Sequence, residues 1–217
     1  MNRRSFLLAV GAPIFGAGIL FGSTWNSFPG AWLKNRLRLD NDKLARSRRR
    51  KRDLLARLDW PEPPARVRIL IRKASRRLTL YGDDREMLTC RIGLGGEPKG
   101  AKRRQGDGRT PEGDYRVCTR NARSQFHLFL GLDYPNKRDA ERGLDAGTIT
   151  RAVYNRIMDA HEHRRVPPWN TVLGGAIGIH GSGASWDWTL GCVALDDHDI
   201  ETLWSFCTVG TAVRIEP

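Results

Sequence analysis

The chain reads as mainly β, a β-sandwich-like domain with peripheral helices. Short apolar or alternating runs recur between residues 67 and 132, and polar turn residues separate them. Helical periodicity is confined to a few later stretches, so helices should lie around a strand-built core rather than alternate with every strand.

Each element follows from its residues. Pro61, Pro63 and Pro64 stiffen the chain and forbid a continuing helix, which puts a domain boundary near residue 65. Residues 67–72 and 77–81 flank a polar turn at 73–76, the pattern of a hairpin, and 87–94 give a third strand. Residues 115–119 and 126–132 add two more. Residues 138–143 and 149–161 read as helical, with Ile149, Val153, Ile157 and His161 spaced by four until Pro167 and Pro168 stop the run. Apolar positions between 172 and 179 form a strand that ends on His180, where Gly181, Ser182 and Gly183 break it. Asp196 or Asp197 caps a helix through residue 206, with Ile200, Leu203 and Trp204 inward, and 212–215 is the last strand. There is no internal repeat.

His180 and Cys192 are the candidates for chemistry. A cysteine is a good nucleophile once a neighbouring imidazole takes its proton and later returns it to a leaving amine. Gly191 lets backbone approach closely, so the amides of Gly191 and Cys192 could face a carbonyl oxygen as it becomes an oxyanion. The plainer alternative is a small buried cysteine and a hydrogen-bonded core histidine.

The sequence His180-Gly181, a loop, then Thr189-Leu190-Gly191-Cys192 resembles the L,D-transpeptidase catalytic domain, or YkuD domain, which remodels bacterial peptidoglycan. Two further blocks occur in the same order. One runs from Gly93-Leu94-Gly95-Gly96 through Lys102 to Gly106-Asp107-Gly108-Arg109-Thr110-Pro111-Glu112-Gly113-Asp114-Tyr115. The other, Phe126-His127-Leu128 through Tyr134-Pro135-Asn136, is similar to a Gram-negative subgroup that includes an amidase releasing lipoprotein from peptidoglycan. The resemblance covers residues 66–217.

It implies that Cys192 is the nucleophile, His180 the base and later acid, and the Gly181 carbonyl the group that orients the imidazole. Gly191 and Cys192 amides would form the oxyanion hole, with Thr189 lining the site. Tyr134 would line the substrate groove, or be an ordinary strand end. Arg109 would face stem-peptide carboxylates, or belong to a simple turn set by Pro111 and Gly113. The chain departs from the commoner family motif at Leu190, where a second histidine is usual, and at Ala194, where an arginine is usual. The implied activity is attack on a tetrapeptide stem to form a thioester, resolved by an amine to give a 3-3 crosslink or attach a lipoprotein lysine. One alternative is an amidase or hydrolase of the same fold that releases lipoprotein or trims stems; a second is an inactive peptidoglycan-binding domain. No metal or organic cofactor is implied.

The 217 residues carry 37 Lys+Arg against 24 Asp+Glu, a net charge of +13. Residues 1–66 hold most of the excess, so the basic character belongs to an N-terminal extension. Its start, Arg3-Arg4-Ser5-Phe6-Leu7, and an apolar stretch to residue 22 are like a twin-arginine signal peptide or a signal anchor, which predicts export to the periplasm or cell envelope. Residues 23–65 are expected to be a basic, Pro-ended linker that attracts an anionic envelope surface rather than nucleic acid; the charge-dense stretch within it is either solvated or a single exposed helix. Of the four cysteines, Cys90, Cys118 and Cys207 are expected to be buried free thiols. His161 and His163 are two apart, the wrong spacing for a helical zinc motif, and read as a solvated helix end.

Overall fold

The computed structural model describes residues 28–217. The signal-like start and its apolar stretch lie outside them. The chain divides into two compact units at residue 36. Of the first, only the opening turns of a helix, α1 (Phe28–Arg57), are described; the second, Leu37–Pro217, holds every other element.

The second unit is mainly β with peripheral helices. Eight strands, β1 (Val67–Arg72), β2 (Arg77–Gly82), β3 (Arg85–Arg91), β4 (Gly113–Asn121), β5 (Phe129–Leu132), β6 (Gly178–His180), β7 (Val193–Ala194) and β8 (Ala212–Glu216), form one mixed sheet ordered β3-β2-β1-β8-β4-β5-β6-β7. α2 (Lys137–Asp145) and α3 (Arg151–Glu162) lie between β5 and β6, and α4 (Asp197–Phe206) between β7 and β8. The sheet curls until its ends meet. Beyond β3, the Gly93 amide donates to the Ala194 carbonyl at 2.9 Å and the Ala194 amide returns the bond at 2.8 Å, while the Thr189 amide donates to the Leu94 carbonyl at 3.0 Å. These bonds tie β7 to the residues that follow β3, and Ile71, Leu80, Leu94, Leu130, Ile179 and Val193 share one apolar core. A smaller cluster of Ala140, Ile149, Ile157 and Leu173 seats α2 and α3.

The β1–β2 hairpin, β4, α4 and β8 fall where the sequence predicts them. Other boundaries shift for backbone reasons. The 126–132 run is strand only from Phe129, because His127 takes a left-handed φ of 69°. The 172–179 run yields only the three residues of β6, since Gly174 and Ala176 both turn the chain at positive φ. β7 was not foreseen; two residues carry no periodicity. Lys73, expected in a polar turn, is buried, and its ammonium donates to the Gly100 and Thr110 carbonyls and to Glu112 Oε1. Three donors meet three acceptors, which meets the requirement for burying a charge. His161 is likewise buried, not solvated, with its Nε2 2.8 Å from the Pro135 carbonyl, whereas His163 is exposed. All four cysteines are free thiols: Cys90 and Cys207 are buried, Cys118 and Cys192 half-buried.

The basic segment departs most from expectation. Residues 37–57 are a docked helix, not a solvated linker. Asp40, Ser47 and Leu54 recur every seven residues and share the buried face. Leu54 enters the core, Leu55, Leu58 and Trp60 pack against it, and Ser47 Oγ donates to the Glu201 carbonyl at 2.7 Å. The sequence hides this because the face is half polar and finds its partners far along the chain, at Arg123, His127 and Glu201.

The long connection from β3 to β4 has no regular structure and is held by charge. Buried Lys102 donates to Asp107 Oδ1 at 2.8 Å, and Asp107 also accepts from the amides of Arg103, Arg104 and Arg109. Burial alone would raise its pKa, but these donors outweigh it and bring the carboxyl from 3.8 down to about 2.

Leu54→Ala lowers unfolding free energy by roughly 2 to 5 kcal/mol in urea titrations, as for a core leucine; an unchanged midpoint would mean that α1 is not docked. Asp107 binds its proton less readily folded than unfolded, so its stabilisation is present above pH 3.8 and lost as pH falls through about 2. The urea midpoint of the unsubstituted chain should fall steeply across that window, and that of Asp107→Asn, already lower at neutral pH, should fall less.

Candidate active site

The parallel pairing of β6 and β7 assembles the site. Ile179 is in register with Val193 and His180 with Ala194. Cys192 directly precedes β7, so this pairing brings the segment that carries the thiol alongside the strand that ends on His180. The Leu195 amide donates to the His180 carbonyl at 2.8 Å and secures the register.

His180 is buried and tightly oriented. Its Nδ1 lies 2.7 Å from the Gly181 carbonyl, which can only accept, so Nδ1 carries the proton and Nε2 keeps a lone pair. The ring stacks on Phe126 at 4.7 Å between centroids and meets Trp188 edge-on at 5.5 Å. This apolar cage lowers the pKa of His180, and the bond to Gly181 offsets only part of the effect. The Cys192 thiol donates to the Ala176 carbonyl at 3.6 Å, and burial pushes its pKa up to about 11. Both shifts favour the uncharged forms, a thiol and an imidazole.

The loop before Cys192 is fastened by its backbone. Thr189 Oγ1 donates to the Cys192 carbonyl at 2.8 Å, and Thr110 Oγ1 lies 3.4 Å from the same oxygen. Gly191 has a φ of +129°, and a Cβ there would sit 2.6 Å from the Arg109 carbonyl oxygen, so only glycine fits. Asp187 braces the loop from behind: it accepts from Arg76 Nη2 at 2.6 Å and from the Leu94 amide at 2.9 Å.

The other expected site residues fare differently. Gly191 adjoins Cys192, but its amide donates to Thr189 Oγ1 at 3.1 Å and is not free for an oxyanion in this arrangement. Thr189 is buried and knits the loop instead of lining a groove. Tyr134 is fully buried, its hydroxyl donating to the Leu173 carbonyl at 2.9 Å, because the 134–136 segment starts α2 beneath the surface; it cannot line a groove. Arg109 reaches the site through its carbonyl against Gly191, while its guanidinium lies over Gly100. The sequence does not assign Phe126, Trp188 and Asp187 to the site: Phe126 lies far from His180 along the chain, and Trp188, shortly before Cys192, is the nearer signal. Among the described residues, Asp196, His198 and Asp199 bring together three side chains able to hold a cation, but Asp196 Oδ1 already accepts the Ala184 amide at 3.1 Å.

Among solved structures, the chain is similar to an L,D-transpeptidase from Xylanimonas cellulosilytica at 16% identity, covering 71% of this chain and 62% of that one with a TM-score of 0.43. It is also similar to L,D-transpeptidases from Mycobacterium smegmatis (9% identity, 70% and 58% covered, TM-score 0.40) and Stackebrandtia nassauensis (9%, 72% and 57%, 0.42). The chain thus spans about three-fifths of the length of these structures. No curated protein matches it. The family model for the L,D-transpeptidase catalytic domain matches residues 66–215, a span that holds His180, Cys192 and all eight strands but for the last residue of β8, and the chain belongs to that family, YkuD.

Proposed function

We propose that this chain is a cysteine acyltransferase acting on peptidoglycan stem peptides, an L,D-transpeptidase of the periplasm or cell envelope. The observation that carries the reading is His180 with its Nδ1 proton committed to Gly181 and a lone pair left on Nε2, on a strand paired with the one that directly follows Cys192. Nε2 takes the thiol proton as sulfur attacks the carbonyl carbon of the third stem residue. The C–N bond to the terminal D-Ala breaks, the departing amine takes the proton from the imidazolium, and a thioester remains. An acceptor amine then loses its proton to Nε2 and displaces sulfur, forming a 3-3 crosslink or a link to a lipoprotein lysine. The amide of Cys192 is the donor best placed for the oxyanion, since that of Gly191 is engaged.

Hydrolysis of the same thioester, releasing lipoprotein or trimming stems, is the second reading, and Leu190 favours keeping it. This side chain, directly before Gly191-Cys192, is 84% exposed and offers no charge to hold an acceptor's carboxylate. The exposed arginines of α1, among them Arg48, Arg49 and Arg52, support attraction to an anionic envelope surface.

Purified protein incubated with defined muropeptides and read by mass spectrometry should yield 3-3 dimers; trimmed monomers alone would assign it to hydrolysis. Cys192→Ala should abolish turnover with a melting temperature close to that of the unsubstituted chain, and His180→Ala should abolish it with a lower melting temperature, since it empties a buried, stacked position; turnover retained in Cys192→Ala would sink the reading. His180 must be uncharged to accept the proton and its pKa is lowered from 6.5, so the acid limb of the pH–rate profile should lie below pH 6.5.

A further inference from the structure

Glu201, on α4, is a carboxylate only 2% exposed with three nitrogen partners on three separate side chains. Arg46 Nε donates to its Oε1 at 2.7 Å, Arg50 Nε to its Oε2 at 2.9 Å, and His127 Nε2 to Oε1 at 3.0 Å. Burial alone would raise its pKa, and the bonds from Arg50, Arg46 and His127 more than offset that, holding it below the ordinary carboxylate range. Two of the three partners come from α1, outside the span of the catalytic-domain family.

The third partner leads to the chemistry. His127 holds a left-handed backbone at φ 69°, a conformation that a residue with a side chain keeps only when its surroundings enforce it. Glu201 grips its ring, Asp197 Oδ2 lies 3.7 Å from its Nδ1, and Lys43 of α1 donates to its carbonyl at 3.2 Å. The preceding residue, Phe126, stacks on the His180 imidazole and accepts the Gly181 amide at 3.0 Å. Gly181 in turn supplies the carbonyl that fixes His180 Nδ1. The turn that α1 and Glu201 clamp therefore carries the ring and the backbone bond that orient the base.

We propose that Glu201, through His127 and Phe126, positions the His180 imidazole, and that α1 belongs to this positioning device through Lys43, Arg46 and Arg50. None of these residues touches substrate; each acts through His180. A clamp of this kind affects the step in which the proton moves and leaves ground-state binding nearly alone. The inference rests on the acyl-transfer reading above.

The test is acylation of Cys192 by a carbapenem, followed by intact-protein mass spectrometry in the full chain. If the unsubstituted protein is not acylated, the acyl-transfer reading fails and the inference with it. If it is acylated, Arg46→Met with Arg50→Met should lower the saturated acylation rate roughly ten- to a hundredfold. The half-saturating concentration should stay within about twofold, and Arg46→Lys with Arg50→Lys should recover most of the rate. If the Met pair does not fold, as judged by its melting transition, Arg46→Met alone is read in the same way. A folded variant that acylates at the unsubstituted rate, or that loses only affinity, overturns the positioning role while leaving acyl transfer intact.

Discussion

The carbonyl oxygen of Cys192 is the point on which the site depends. Thr189 Oγ1 donates to it, and Thr110 Oγ1 approaches it from the irregular β3–β4 connection. Those two hydroxyls tie the nucleophile's backbone to both ends of a sheet that has curled until β7 meets the residues after β3. Hydrogen bonds buried in a low-dielectric closure count for more than their exposed equivalents, and breaking one leaves an unsatisfied partner. The loop around Cys192 is thus one of the most constrained segments of the chain, which is what a thiol aimed at a fixed carbonyl requires.

Much of this was legible in the sequence, and the features that were not share a cause. Strand alternation placed β1, β2, β4 and β8, and the glycines around His180 and Cys192 marked the two segments that β6 and β7 bring together. Local pattern failed where a residue's role is set by something distant. Tyr134 looked like a groove residue because an aromatic beside Pro135 carries no signal of depth; its hydroxyl bonds to Leu173, 39 positions on. Gly191 is the exception: its amide is claimed by a threonine only two residues earlier, through a turn geometry that the glycine pattern does not encode. Lys73 looked like turn polarity until Gly100, Thr110 and Glu112 surrounded it.

The helix α1 shows the same limit from the energetic side. Its docked face mixes Asp40 and Ser47 with Leu54, so its hydrophobic periodicity is faint. Burying Glu201 beneath it costs desolvation, which the two guanidinium groups and His127 offset with directional bonds. A seam of this kind contributes register more than net stability: a helix slipped by one turn would leave a buried carboxylate unpaired. The leucines, by contrast, would tolerate a slip.

At Cys192 the labour is divided within one residue. Its backbone carbonyl fastens the loop, while its side chain makes a weak sulfur contact to Ala176. Shape and reactivity are therefore separately heritable at this position. A descendant could lose the sulfur in a single codon change and keep the enclosure intact, persisting as a receptor for the ligand its ancestor processed. The converse path, losing the glycine at 191 and keeping the thiol, is barred by the Arg109 carbonyl.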